Sequence, residues 1–228
     1  MNSEIWDLLE KCAESAVTCV NTYATEIPVH TLPFNSVTSI NRSWTNDYIS
    51  RAHLNIIDAR TTKKLWMMHL CIFPSHTNNS PIFGFDVIAG ANKVTGLFLD
   101  VSPGSAGANH LVSSQYYSLV KNTSVSKERV LPEWAKNIFS DRIIAAGNIQ
   151  NIAEVSLLIH LMLKVLNQYL TSIQMFNNTE LSETVIKKHN FYCHNQKQNP
   201  KTPAVLKKLG FSDNELEYFS ENVLFPQI

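Results

Sequence analysis

An α+β fold, with helices covering an antiparallel sheet, is what this sequence predicts, and two observations carry the prediction. Between residues 37 and 101 five apolar or alternating segments follow one another with only short turns between them, and strands joined that way make an antiparallel meander. After Pro103 the apolar periodicity becomes helical, so helices are available to lie on the sheet. The composition agrees. Of 228 residues 44% are hydrophobic and 17% charged, which supports a sizeable core and argues against global disorder. A single domain over 1–228 is expected.

In chain order, a helix is predicted over Ser3–Val20, from apolar positions at Ile5, Leu8, Leu9, Cys12 and Val17. A link containing Pro28 and Pro33 follows. The five strands are expected at Val37–Thr45, Ser50–Ala59, Lys64–Phe73, Pro81–Ala89 and Lys93–Val101, with turns such as Gly90-Ala91-Asn92. Helices are expected near Ser113–Lys121, Asn151–Ser172, Glu180–His189, Pro200–Leu209 and Asp213–Glu221. The most hydrophobic run, Ile152 to Leu170, is broken by Glu154, His160, Lys164 and Asn167. It therefore reads as a buried helix, and no membrane association is expected.

Net charge is zero, which argues against a nucleic-acid partner held by bulk electrostatics. The charge is unevenly spread: Leu181 to Gly210 holds six lysines and one glutamate, and the tail beyond it four acids and no base. That stretch can present a local basic surface. Cys12, Cys19, Cys71 and Cys193 have no metal-ligand spacing, and with an acidic N-terminus lacking an apolar signal core they suggest reduced thiols in a cytoplasmic protein. The seven glycines form no phosphate-cradling pattern, and neither G-x-S-x-G nor H-E-x-x-H occurs. No bound nucleotide, flavin or metal is indicated.

The hairpin Leu65–Pro74 and Ile82–Ile88 carries the chemistry. Folded about a loop centred near Thr77–Asn78, it sets His69 directly opposite Asp86. An Asp among Phe85, Val87 and Ile88 is costly to bury charged unless it is paired or protonated, so the two make a candidate proton-handling pair. A turn near Arg60–Thr62 would place His53 opposite His69, and the Gly90–Asn92 turn would place Gly96 beside Asp86. His53, His69, Asp86 and Gly96 would then form one row, with Asn55 on the same face and Gly96 leaving room for a flat ligand.

At these residues the chain resembles the ferredoxin-dependent bilin reductases. It is most similar to the phycocyanobilin:ferredoxin oxidoreductase branch and its phage-type relatives. The likeness rests on Met68-His69-Leu70-Cys71-Ile72-Phe73-Pro74, Pro81-Ile82-Phe83-Gly84-Phe85-Asp86 and Leu99-Asp100-Val101-Ser102-Pro103. It continues through Leu131-Pro132-Glu133-Trp134, Asn137-Ile138-Phe139-Ser140-Asp141, His189-Asn190-Phe191-Tyr192-Cys193, Gln196-Lys197-Gln198-Asn199-Pro200-Lys201-Thr202 and Val223-Leu224-Phe225. It thus spans about Val37 to Phe225.

The resemblance implies a three-layer α/β/α sandwich with a central antiparallel sheet. It implies reduction of biliverdin IXα, with no bound cofactor and with electrons arriving singly from a reduced, acidic [2Fe–2S] ferredoxin, by a protein expected to be monomeric. By the same resemblance Asp86 is the central proton-donating aspartate, His69 its histidine partner, His53 a histidine behind the pair, and Lys201 a propionate anchor. Three positions depart from the pattern. Asn55 stands where phycocyanobilin-forming members carry a glutamate that serves reduction of the D-ring vinyl group. Asn199 stands where some phycoerythrobilin-forming members carry a second aspartate. Gly147 replaces a strand-end arginine expected on a propionate, with Arg142 as the nearby substitute. Asn55 favours phycoerythrobilin, formed by way of 15,16-dihydrobiliverdin. Phycocyanobilin formation and non-catalytic bilin carriage are the alternatives.

Overall fold

The structure, a computed structural model, describes residues 3–29, 37–103, 110–176 and 182–228. The Pro33 end of the early link and the start of the helix expected at Glu180 lie outside them. Among the described residues seven strands form one sheet in chain order, every neighbouring pair antiparallel: β1 Thr25–Ile27, β2 Thr38–Thr45, β3 Ile49–Ala59, β4 Leu65–Pro74, β5 Ile82–Ala89, β6 Val94–Ser102 and β7 Ile144–Ala146. The meander is as expected, and β1 and β7 extend its edges. The helices are α1 Glu4–Tyr23, α2 Arg60–Lys63, α3 His110–Val120, α4 Glu133–Lys136, α5 Ile152–Ile173, α6 Glu183–Gln196, α7 Lys201–Lys208 and α8 Asp213–Tyr218, with a π-helical turn at Phe219–Leu224.

The two longest helices and α8 begin where a side chain satisfies free backbone N–H groups. Ser3 caps α1, Asn151 accepts from the N–H groups of Ala153 and Glu154 at the start of α5, and Ser212 with Glu215 forms a reciprocal capping box on α8. The alternation of the strands then splits the core in two. Leu54, Met68, Leu70, Phe83, Phe85, Val87, Leu97, Leu99 and Val101 face α1, α3 and α5. Ile57, Cys71, Phe73 and Ile82 face Tyr192, Leu206, Phe219 and Leu224 on the C-terminal helices. Each large side chain buried there, such as Phe83 or Trp66, contributes roughly 1.5–3 kcal/mol. The result is the three-layer α/β/α sandwich, with the sheet in the middle.

The register corrects the expected row. β4 and β5 do set His69 opposite Asp86. Between β3 and β4, however, His53 pairs with Cys71, and Asn55 lies opposite His69. The turn there is a full helical turn, α2, closed by Lys64 in the left-handed conformation (φ 54°), and it moves the pairing by two residues. Between β5 and β6 a four-residue turn and a bulge at Ile88/Ala89 do the same, so Phe98, not Gly96, lies opposite Asp86. The actual row is Asn41, Asn55, His69, Asp86, Phe98, Ala145. A shift of two keeps every side chain on its face, whereas a shift of one would have turned them over.

The lysine-rich stretch is not one solvated face. Lys188 on α6 is 2% exposed and donates to the Ser80 carbonyl, and no ion pair among the described residues includes it. Burial pushes its pKa down to about 7. Between that value and the ordinary lysine value the unfolded chain binds a proton that the native chain does not, so raising the pH across this window stabilises the fold. Lys188→Met removes the effect. From pH 7 toward 10 the difference between the two melting temperatures should therefore move by a few degrees in favour of the wild type. Melting curves that stay parallel across the window would show that Lys188 carries no such cost.

Candidate active site

On the sheet face covered by the C-terminal helices, a cavity of about 540 Å³ opens over β3 to β6. Its floor includes Asn55, Ile57, Met67, His69, Asp86, Ile88 and Phe98, and the opposite wall runs from Gln196 through Asn199, Lys201 and Thr202 to Phe225. Its size and its largely apolar lining suit a flat organic ligand.

Asp86 and His69 are brought together by strand pairing alone. His69 Nδ1 lies 2.7 Å from Asp86 Oδ1, a short hydrogen bond. The His69 side chain is 10% exposed and that of Asp86 37% exposed, so the carboxylate is the partner presented to the cavity. Phe225 meets the His69 ring edge-on at 5.4 Å between centroids and narrows that side. Phe225 is positioned in turn by Arg51, whose guanidinium donates to the Val223 and Leu224 carbonyls at the end of the π-helical turn.

His53 is fully buried behind the pair, its ring centroid 6.3 Å from that of His69. Burial, then the nearby charge of Arg51 and then His69, hold its pKa well below the ordinary histidine value, so it is neutral. Asn55 Nδ2 donates to Asn41 Oδ1 at 2.9 Å, and His53 Nε2 lies 3.3 Å from the same oxygen. An amide oxygen accepts from both, which places the His53 proton on Nε2 and leaves Nδ1 as a bare acceptor. His53 Nδ1 and His69 Nε2 are both buried with no hydrogen-bond partner among the described residues.

The glycines of the face make close approaches. A Cβ on Gly84 would stand 3.2 Å from the Tyr192 hydroxyl, itself held by Gln196, so the Phe-Gly-x-Asp strand lets α6 close down two residues from Asp86. Gly96 does not leave room for a ligand: the guanidinium of Arg129 occupies that space.

The remaining expected residues fall as follows. Asn199 lines the cavity and turns the chain into α7, accepting from the Lys201 N–H at 3.0 Å and donating to Thr202 Oγ1 at 3.1 Å. Lys201 is exposed at the cavity wall. Arg142, expected as a substitute anchor, is half-exposed beside Asp141 and is not among the residues lining the cavity. The aromatic wall of Phe98, Trp134, Phe139 and Phe225 was not anticipated, nor was Arg129. Arg129 stands three residues before the Pro132-Glu133-Trp134 segment, and that adjacency is the one signal the sequence offered for it. Among the described residues no cluster of His, Cys, Asp and Glu can hold a metal ion, and no helix is long and apolar enough to cross a membrane.

Residues 29–226 match the family model for ferredoxin-dependent bilin reductase. The chain belongs to that family. Among curated relatives it is similar to phycocyanobilin:ferredoxin oxidoreductase of Synechococcus elongatus, 26% identical over 190 residues that cover 81% of this chain and 74% of that protein. An enzyme of the same name from Prochlorococcus marinus is 31% identical over 176 residues, covering 75% of this chain and 70% of that protein. A solved structure of PcyX superposes with a TM-score of 0.70 at 29% identity, covering 96% of this chain and 99% of that one. Tomato phytochromobilin synthase, solved in complex with biliverdin, shares the fold at a TM-score of 0.69 and 14% identity, over 94% of this chain and 82% of that one.

Proposed function

We propose that this protein, acting as a single domain, reduces biliverdin IXα to phycoerythrobilin by way of 15,16-dihydrobiliverdin. The electrons come one at a time from a reduced [2Fe–2S] ferredoxin. The observation that carries this reading is the 2.7 Å His69–Asp86 pair with an amide, Asn55, directly across from His69. Each double bond reduced takes up two electrons and two protons. The electrons are the ferredoxin's, so the protein's task is to supply protons at chosen atoms of a bilin radical. Asp86 is exposed to the cavity and touches the bilin; His69 shares its proton and reloads it. Neutral His53, behind them, keeps the His69 ring flanked by a proton acceptor.

Asn55 decides the product in this reading. It has amide protons but no acidic one, so the D-ring vinyl group survives and reduction goes to the 15,16 bridge. Phycocyanobilin as product is the second reading, favoured by the relatives' names and by Asn199, which puts an amide where a second aspartate would serve phycoerythrobilin formation. Anaerobic incubation with biliverdin and reduced ferredoxin, followed by absorbance, tests the activity. The long-wavelength bilin band should give way to one at shorter wavelength as conjugation is cut at the bridge. A bound spectrum unchanged by reduced ferredoxin would mean that the protein only carries bilin.

In this reading lysines supply the docking surface for the acidic ferredoxin, and only exposed ones can serve. Lys188 is buried and Lys197 is largely covered in an ion pair with Glu221, which leaves Lys187, Lys207 and Lys208 exposed. Reversing the charge at Lys207 and Lys208 should slow turnover several-fold at limiting ferredoxin and low salt, with biliverdin affinity unchanged, because opposed surface charges mainly set the association rate and are screened by salt. Activity insensitive to both the reversal and salt would put the docking face elsewhere.

A further inference from the structure

Residues 223–228 form a strap that β3 and α6 hold by its backbone. On β3, Arg51 donates from Nη1 to the Leu224 carbonyl at 3.4 Å and from Nη2 to the Val223 carbonyl. These carbonyls close the π-helical turn, and the last carbonyls of a helix have no partner inside it. On α6, His189 Nε2 donates to the Pro226 carbonyl at 2.8 Å. Asn190 donates to the Ile228 carbonyl at 2.6 Å and accepts from the Ile228 N–H at 2.8 Å. No ion pair among the described residues includes Arg51, so its guanidinium serves the strap. The aromatic side chain that the strap carries is Phe225, which is 7% exposed and lines the cavity.

His69 reaches Asp86 through Nδ1 alone. Turning the imidazole over about its Cβ–Cγ bond would put Cδ2 where Nδ1 stands and break that hydrogen bond. The torsion does not forbid the turn, because this angle is broad and roughly two-fold in histidine. Packing must forbid it. The Phe225 ring meets His69 at 82° with 5.4 Å between centroids, nearer than the His53 ring at 6.3 Å. We infer that Phe225 is a positioning residue that fixes the His69 ring with Nδ1 on Asp86, and that Arg51 positions Phe225 by holding the strap. A free neutral imidazole prefers its proton on Nε2; the fixed ring carries one on Nδ1, where the carboxylate can share it. The inference rests on the reading of His69 and Asp86 as the proton-handling pair.

The test compares the wild type with Arg51→Met, Arg51→Lys, Phe225→Leu and the double variant of Arg51→Met with Phe225→Leu, each as the whole chain. Without bilin, the nitrogen chemical shifts of the His69 ring, read by NMR through its carbon-bound protons and assigned with His69→Gln, report which nitrogen is protonated. The wild type should carry a proton on Nδ1. Arg51→Met and Phe225→Leu should each lower that occupancy in favour of Nε2. Arg51→Lys, which can still donate to the strap carbonyls, should restore it. At saturating biliverdin and reduced ferredoxin, kcat should fall roughly tenfold in each of Arg51→Met and Phe225→Leu, within the range that a small misplacement costs. Arg51 does not line the cavity, so biliverdin affinity in Arg51→Met should stay within about threefold. The double variant should be no slower than the slower single variant, because both act through one ring. Unchanged Nδ1 occupancy in both single variants would overturn the inference. So would losses that multiply in the double variant, which would mean that Arg51 acts by its charge on His53. A wild type that behaves as expected by NMR and does not reduce biliverdin would overturn the bilin reading while supporting the positioning of His69.

Discussion

Asp86→Asn should leave biliverdin bound near its wild-type affinity and lower turnover by about a hundredfold or more, the scale lost with a positioned general acid. The substitution is nearly isosteric. Asp86 is only part-buried on β5, its neighbours Phe85 and Val87 point into the opposite core, and an amide oxygen can still accept from His69 Nδ1 at the observed 2.7 Å. What the amide cannot do is hold an ionisable proton and return it. The comparison is a binding titration beside anaerobic turnover in the same preparation. A variant that turns over within a fewfold of the wild type would remove Asp86 from the chemistry, and one that fails to bind would show that its role is to seat the bilin.

Asn55→Glu should change the product. Residue 55 lies opposite His69 on the neighbouring strand, and its side chain now donates to Asn41 Oδ1, Ser39 Oγ and the Ile40 carbonyl. A carboxyl group there, 4% exposed if it takes the place of the amide and facing the Asn41 and Ile40 carbonyl oxygens, is favoured in its protonated form, because burial disfavours the charge and those oxygens can only accept. It would therefore be an acid at the working pH, beside the cavity and one strand from the His69–Asp86 pair. Vinyl-reduced bilin should appear among the products, at the expense of the vinyl-retaining one. The product ratio by chromatography is the readout, and an unchanged ratio in a folded, active variant would mean that residue 55 does not choose the site of protonation.

Much of this was legible in the sequence, and the failures have identifiable causes. The five long strands were placed within about a residue because each is a β-rich run bounded by turn residues. The edge strands β1 and β7, three residues each, are too short to show any alternation, and the same holds for the four-residue helices α2 and α4. The His69–Asp86 pairing was right because the hairpin is regular through its middle. The pairings on either side were wrong by two because a helical turn and a bulge add residues that do not announce themselves in composition. His53 and Asn55 exchanged places in the row without leaving the face.

What the sequence hid is whatever a loop or a distant helix brings in. Arg129 reaches the cavity from the stretch between α3 and α4, and Lys188 turns inward from a run of residues that reads as a basic surface. Neither position can be inferred from local periodicity.

Anaerobic turnover of the wild-type protein with biliverdin IXα and reduced ferredoxin, with chromatography of the bilins against phycoerythrobilin and phycocyanobilin standards, tests the central claim most directly. Expected is 15,16-dihydrobiliverdin early and phycoerythrobilin at completion, the D-ring vinyl group intact. Phycocyanobilin from the unmodified protein would contradict it, and would mean that a group other than residue 55 delivers the proton to the vinyl end.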